Sequence, residues 1–387
     1  MIPVFQHSNC ERSELSSKSI RVLVVDDTVV YRKIVADVLD ELPGVEVVGA
    51  ASNGKVAMSK IASLKPDLLI LDLEMPKMHG LEVLARMRVE WPDVGAIILS
   101  TLTQQGGETT IRALELGAFD FIPKPQTDSM AENRQGISNS LDSMIKAFAR
   151  RHEIRHILKG KSSPARANSA KKIMPDSAGV VRRTRATARQ KKTKSKIVGI
   201  GISTGGPHAL AQMIPQLPAD LAVPVLIVQH MPHLFTKALA NSLDSRCALE
   251  VKEAVDGETA RPNVALIAPG GKQMKVVAGA DGKATVIRIT DDPPEKSCKP
   301  SVDYLFRSIA YHYAGRATGV IMTGMGSDGT LGSKLMKRNG ATIIAQDKAT
   351  SVVYGMPKEA IDAGIVDVIA PLDKIADEIV RTVKIAP

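Results

Sequence analysis

Ile20-Arg21-Val22-Leu23-Val24-Val25-Asp26-Asp27 is a short apolar run that stops on two carboxylates. Its length and its polar boundaries predict a buried strand. Beyond Asp27 the period changes: Val29, Val30, Ile34, Val35, Val38 and Leu39 recur at helical spacing until Pro43-Gly44. The same unit then repeats. Val45–Val48, Leu68–Leu71, Ala96–Leu99 and Phe119–Ile122 read as further strands with helical patterns between them. Five strands alternating with helices over residues 19–146 predict a doubly wound parallel sheet. A helix is predicted at its end, from Ser138 to Leu158. From Ile197 the alternation resumes, with strands expected at 197–202, 225–229, 264–268, 275–277, 285–289, 319–322 and 342–345. Helices are expected near 207–214, 235–243, 302–314, 329–337, 357–363 and 372–383. Residues 197–387 thus form a second, larger α/β domain, with a hairpin turning at Ala280-Asp281-Gly282.

Composition sets the frame around these two domains. Residues 1–18 are polar and aperiodic and read as a disordered leader. The net charge of +10 over 387 residues is not spread evenly. Residues 150–196 hold 16 Lys and Arg against 2 Asp and Glu, a net of +14, so the remainder has 35 basic and 39 acidic residues, a net of −4. This stretch has no aromatic residue and few large aliphatics, so it cannot offset its ordering entropy, and 147–196 reads as a basic flexible linker. It is either a solvated spacer or a contact for anionic partners; without interleaved aromatics, stacking on single-stranded nucleic acid is disfavoured, and no specific nucleic-acid partner is expected. No apolar run approaches the roughly 18 residues of a membrane span. Cys10, Cys247 and Cys298 lie far apart, which excludes a CxxC metal motif and a disulfide framework and fits a reducing, cytoplasmic setting. The chain is expected to be monomeric.

In an open parallel sheet, chemistry gathers beyond the C-terminal ends of the strands. Asp26 and Asp27 follow the first strand, Asp72 the third, Ser100 the fourth and Lys124 the fifth. Clustered carboxylates repel unless a cation intervenes, and oxygen ligands with room for water suit Mg²⁺. One strand-end Asp is ordinarily a helix cap; three, joined by Ser and Lys, are not. The set resembles the receiver domain of response regulators, a flavodoxin-like fold. The resemblance implies that Asp72, in Leu71-Asp72-Leu73-Glu74-Met75-Pro76, accepts phosphate. It makes Asp26, Asp27, Asp72 and the backbone carbonyl of Glu74 the Mg²⁺ ligands, Ser100 and Lys124 the phosphate-sensing pair, and Lys124-Pro125 a cis peptide. Receivers usually carry Asp where this chain has His79, a position off the acidic pocket.

The second domain opens with Gly201-Ile202-Ser203-Thr204-Gly205-Gly206 between a strand and a helix. Glycines there permit a tight turn, and free N–H groups at a helix start favour an anion. Three readings stand: a dinucleotide loop, an α/β-hydrolase elbow, or a simple helix cap. The first wants an acid at the end of the next strand, where this chain has Gln229-His230; the second wants a late histidine, and none follows His312. His230 and Asp328, the latter in Thr323-Gly324-Met325-Gly326-Ser327-Asp328-Gly329, lie at other strand ends of the same sheet. Together with Ser203 they supply nucleophile, base and orienting acid.

These stretches, with Gln-His-Met-Pro (229–232), Ala-Pro-Gly-Gly (268–271) and Ser-Val-Val-Tyr-Gly-Met-Pro (351–357), resemble the catalytic domain of the chemotaxis protein-glutamate methylesterases, the CheB family. A receiver followed by this domain is that family's architecture. The resemblance implies Ser203 as nucleophile, His230 as base, Asp328 as its orienter, the Met325 N–H as oxyanion donor, and Thr204 as a hydrogen-bond partner of His230. It implies hydrolysis of glutamate γ-methyl esters on chemoreceptor helices and deamidation of certain receptor glutamines. It also implies a histidine kinase as phosphodonor to Asp72, activation by that phosphorylation, and no cofactor for the esterase step.

Overall fold

The computed structural model describes residues 19–125, 129–160, 180–182, 193–280, 282 and 284–384. The leader at 1–18, most of the linker and Asp281 of the expected hairpin turn lie outside the described residues.

The first domain runs β1 (Ile20–Val25), α1 (Val29–Asp40), β2 (Val45–Ala51), α2 (Gly54–Leu64), β3 (Leu68–Asp72), α3 (Gly80–Glu90), β4 (Gly95–Ser100), α4 (Gln104–Glu115), β5 (Asp120–Pro123) and α5 (Met130–Gly160). Its sheet is parallel throughout, in the order β2-β1-β3-β4-β5. Helices cover both faces, so Val22–Val25 and Leu68–Leu71 are buried without alternation. The winding reverses between β1 and β3, and this opens a crevice at their C-terminal ends. α5 begins before the expected Ser138 and continues past residue 147 into the segment read as linker. The reason is a stripe of Ile137, Leu141, Ile145 and Phe148, at helical spacing, that packs on the sheet.

The second domain comprises β6 (Val181–Arg182), β7 (Val198–Ile202), α6 (Gly206–Met213), β8 (Val225–Gln229), α7 (Phe235–Asp244), β9 (Glu250–Glu253), β10 (Val264–Ile267), β11 (Gln273–Ala278), β12 (Thr285–Thr290), α8 (Val302–Tyr313), β13 (Thr318–Ile321), α9 (Thr330–Arg338), β14 (Thr342–Gln346), α10 (Met356–Asp362), β15 (Val368–Ala370) and α11 (Leu372–Val383). The main sheet has the order β6-β15-β14-β13-β7-β8-β10-β9. Seven of its strands are parallel; β6 pairs antiparallel with β15. β11 and β12 form a separate antiparallel hairpin. Three strands were not expected. β9 buries a single residue, Val251, and β15 is three residues long, so neither carries a periodic signal. β6 comes from the linker and closes the sheet edge. The winding reverses at β7, which has β13 on one side and β8 on the other. The loops after these three strands therefore share one crevice.

Candidate active site

Ser203 sits in the turn between β7 and α6. Its N–H donates to the Thr323 carbonyl at 3.0 Å, which ties it to the loop after β13. Two glycines make this approach possible: a Cβ on Gly324 would stand 2.7 Å from the Ser203 Cβ, and one on Gly206 would stand 1.8 Å from Gln229 Oε1. Gln229, buried at the end of β8, donates through Nε2 to the Ser203 carbonyl at 3.0 Å and the His230 carbonyl at 3.2 Å. It holds the serine and histidine backbones together, and no sequence signal singled it out.

His230 Nε2 lies 2.8 Å from Asp328 Oδ2. Burial alone would push the imidazole pKa down, but the Asp328 hydrogen bond and the neighbouring Cys298 outweigh it and hold the value at about 9. Asp328 is held below the usual carboxylate range: burial works against its charge, and His230 and the amides of Asp303 and Val302 overcome it. Its Oδ1 accepts from Ser301 Oγ at 3.0 Å and from the N–H groups of Asp303 and Gly329 at 2.9 Å each; Oδ2 also accepts from Val302 N–H at 2.7 Å. Asp328 is thus both the partner of His230 and an anion on the N-terminus of α8. The Met325 N–H has no hydrogen-bond partner among the described residues. Ser203 Oγ makes no hydrogen bond to His230 in this arrangement.

Thr204 departs from expectation. The partners of His230 are Asp328 and Cys298, and the Thr204 side chain lies instead beside Asp120 of the first domain. That contact belongs to a larger one. α4 packs on α7, Phe121 meets Phe235 with ring centroids 4.5 Å apart, and Glu115 accepts from Ser242 Oγ at 2.5 Å and pairs with Arg246. Val352 and Val353, beside the Ser203 turn, pack against the first domain's core. The first domain therefore packs along one side of the crevice. Burial drives the Asp120 pKa up to about 6, opposed by the Phe121 N–H and the Thr204 hydroxyl.

At the first domain's crevice, Lys124 Nζ stands 2.7 Å from Asp72 Oδ2 and 2.8 Å from Asp26 Oδ2. The Asp72 contact is a hydrogen bond; the Asp26 contact is an ion pair without hydrogen-bond alignment, which leaves Asp26 Oδ2 buried with no hydrogen-bond donor. Burial, with some help from Asp26, raises the Asp72 pKa to about 6 against the opposing pull of Lys124. Oxygens of Asp26, Asp27 and Asp72 lie within 4.8 Å of one another. This set, with one buried oxygen lacking a donor, fits a hard divalent cation. The Glu74 N–H donates to Asp72 Oδ1 at 3.2 Å. Ser100 Oγ turns away from Asp72, to Thr110 Oγ1 at 2.5 Å. His79 caps α3, its Nδ1 accepting from the Leu81 N–H at 3.3 Å. The Lys124–Pro125 bond, expected cis, is not; the cis bond among the described residues is Lys299–Pro300.

The two halves define a class: a response regulator receiver seated on an α/β enzyme domain. Residues 22–134 match the response regulator receiver domain family and residues 198–379 match the CheB methylesterase family. The protein-glutamate methylesterase/protein-glutamine glutaminase of Desulfotalea psychrophila is 53% identical over 370 residues, covering 95% of this chain and 100% of that protein. The protein of the same name from Geobacillus kaustophilus is 43% identical, covering 95% and 99%. Among solved structures, the CheB methylesterase catalytic domain of Thermotoga maritima is 41% identical, covers 49% of this chain and 99% of that one, and has a TM-score of 0.47. The chain belongs to the protein-glutamate methylesterase/protein-glutamine glutaminase family, and is a hydrolase with a receiver domain. Among the described residues, no helix is long and apolar enough to cross a membrane.

Proposed function

We propose that this chain hydrolyses glutamate γ-methyl esters, and deamidates glutamines, on the cytoplasmic helices of chemoreceptors, under control of phosphorylation at Asp72. The observation that carries the chemistry is the meeting of Ser203, His230 and Asp328 at the ends of three adjacent strands, with Asp328 bonded to His230 at 2.8 Å. Because Nε2 is committed to Asp328, Nδ1 is the nitrogen left to take the Ser203 proton. Ser203 Oγ attacks the ester carbonyl, the oxyanion rests on backbone N–H groups including that of Met325, and methanol leaves with a proton from His230. Water then attacks the acyl-serine, His230 again acting as base, and releases glutamate. With ammonia as leaving group the same steps deamidate glutamine.

The docked receiver supports the regulatory half of the reading. It packs beside the crevice and Ser203 lacks a bond to His230, which supports reading this arrangement as a resting form. Asp26, Asp27, Asp72 and the Glu74 carbonyl would hold Mg²⁺, which neutralises charge on the phosphoryl group that a histidine kinase delivers to Asp72. Lys124 already sits at that carboxylate. Phosphate drawing Ser100 away from Thr110 would disturb α4, the helix that packs on α7, and shift the equilibrium toward release. Methanol release from methylated receptor fragments tests this. With a small-molecule phosphodonor the wild type speeds up; Asp72→Asn keeps the basal rate and does not respond. A response in Asp72→Asn would refute phosphorylation at this residue.

Asp120 makes docking pH-dependent. A carboxyl whose pKa is raised in the docked form stabilises docking fully below its undocked pKa, and the stabilisation fades as pH rises through about 6. At neutral pH the docked form carries a buried carboxylate with no cation paired to it among the described residues. Asp120→Asn removes that cost, so basal activity at pH 7–8 falls, by about tenfold for each pKa unit that docking contributes. The ratio of wild-type to variant rates should rise between pH 5 and pH 7; a flat ratio would remove Asp120 from the docking equilibrium.

A further inference from the structure

Cys298 takes no part in the reaction above, yet its thiol lies at the imidazole. Sγ is 3.9 Å from His230 Nδ1, while Nε2 is 2.8 Å from Asp328 Oδ2. One ligand atom from each of Cys298, His230 and Asp328 falls within a common 4.8 Å. The cysteine and histidine are half-buried at the crevice and Asp328 is buried. A cysteine sulfur and an imidazole nitrogen are ligand types that zinc takes, and a carboxylate on the far nitrogen is the outer partner that zinc-bound histidines carry. Mg²⁺ and Ca²⁺, which take oxygen, do not suit it. With Zn–S about 2.3 Å and Zn–N about 2.0 Å at a tetrahedral angle, sulfur and nitrogen stand roughly 3.5 Å apart, a few tenths of an ångström from the spacing seen.

We propose that Cys298 Sγ and His230 Nδ1 form a site for a thiophilic divalent cation of the Zn²⁺ type, with Asp328 holding Nε2–H as its outer partner and water completing the coordination. Binding releases the thiol proton and the Nδ1 proton, so affinity rises with pH. The consequence for activity rests on the reading of His230 as base: a metal on Nδ1 removes the lone pair that would take the Ser203 proton. Occupancy therefore inhibits the esterase.

The test uses the full chain with Cys10→Ser and Cys247→Ser, leaving Cys298 as the single thiol. Co²⁺ titration should produce a thiolate-to-cobalt charge-transfer band that saturates at one equivalent and is abolished by Zn²⁺. Adding Cys298→Ser should remove the band. Zn²⁺ should inhibit methanol release reversibly, EDTA restoring it, and Cys298→Ser should weaken that inhibition by roughly 10–100-fold or more. No band, or the same band after Cys298→Ser, overturns the site. A Cys298-dependent band without inhibition upholds the site and counts against His230 as the base, so the two readings fail separately.

Discussion

Ser203→Ala should lower methanol release by roughly 10⁴–10⁶, the scale for losing the nucleophile of a serine triad. The loss is this large because no neighbour can form the acyl intermediate in its place, and His230 without a hydroxyl to deprotonate contributes little. The fold should be untouched. Ser203 Oγ carries no hydrogen bond to His230, and the bonds that shape the turn run through the Ser203 backbone, from its N–H to Thr323 and from Gln229 to its carbonyl. Stability should stay within about 0.5 kcal/mol of wild type. Phosphate uptake at Asp72 should be normal, because Asp72 and Ser203 stand at the ends of strands in different sheets. Methanol release near the wild-type rate would exclude Ser203 as the nucleophile.

The second large effect is at Asp328. Asp328→Asn should cut turnover by about 10⁴, somewhat less than Ser203→Ala, since an orienting acid only sets the imidazole tautomer and steadies the imidazolium. Here the structure adds a cost that a simple orienter would not have. The carboxylate accepts from Ser301 Oγ and from the N–H groups of Val302, Asp303 and Gly329, as well as from His230. An amide must turn its NH₂ toward one set of these donors, leaving a buried donor unpaired at a cost of about 1–3 kcal/mol. A lowered melting temperature should therefore accompany the lost activity. The pH profile separates the two: with the anion gone, the His230 pKa should fall well below about 9. Full activity in Asp328→Asn would mean that another residue, or none, orients His230.

The strongly apolar central strands, and the acids that end β1 and β3, were legible because a parallel strand buried on both faces must be an unbroken aliphatic run. Ser203, His230 and Asp328 were legible for a related reason: each directly follows, or lies in the loop after, such a strand, and strand order brings those loops to one edge. β9 and β15 were not, because an edge strand with one buried residue and a three-residue strand carry no period to count. Asp328 accepts from the N–H groups of Val302 and Asp303 at the start of α8 while it also bonds His230, a pairing that adjacency in the sequence does not show.

The sequence by itself determined the two parallel-sheet domains, their order and the residue types at their strand ends, all of which depend on local period and adjacency along the chain. Tertiary structure alone decided which neighbours those residues meet. Thr204 lies beside Asp120, 84 positions away, and His230 bonds other residues. Cys298 comes to His230 across 68 positions, and Glu115 reaches Ser242 across 127. The linker also places a strand on the far edge of the second sheet. Such contacts are made by single polar groups whose partners are distant in the chain, so they leave no periodic trace; they arise only once two packed sheets have brought their loops and faces together.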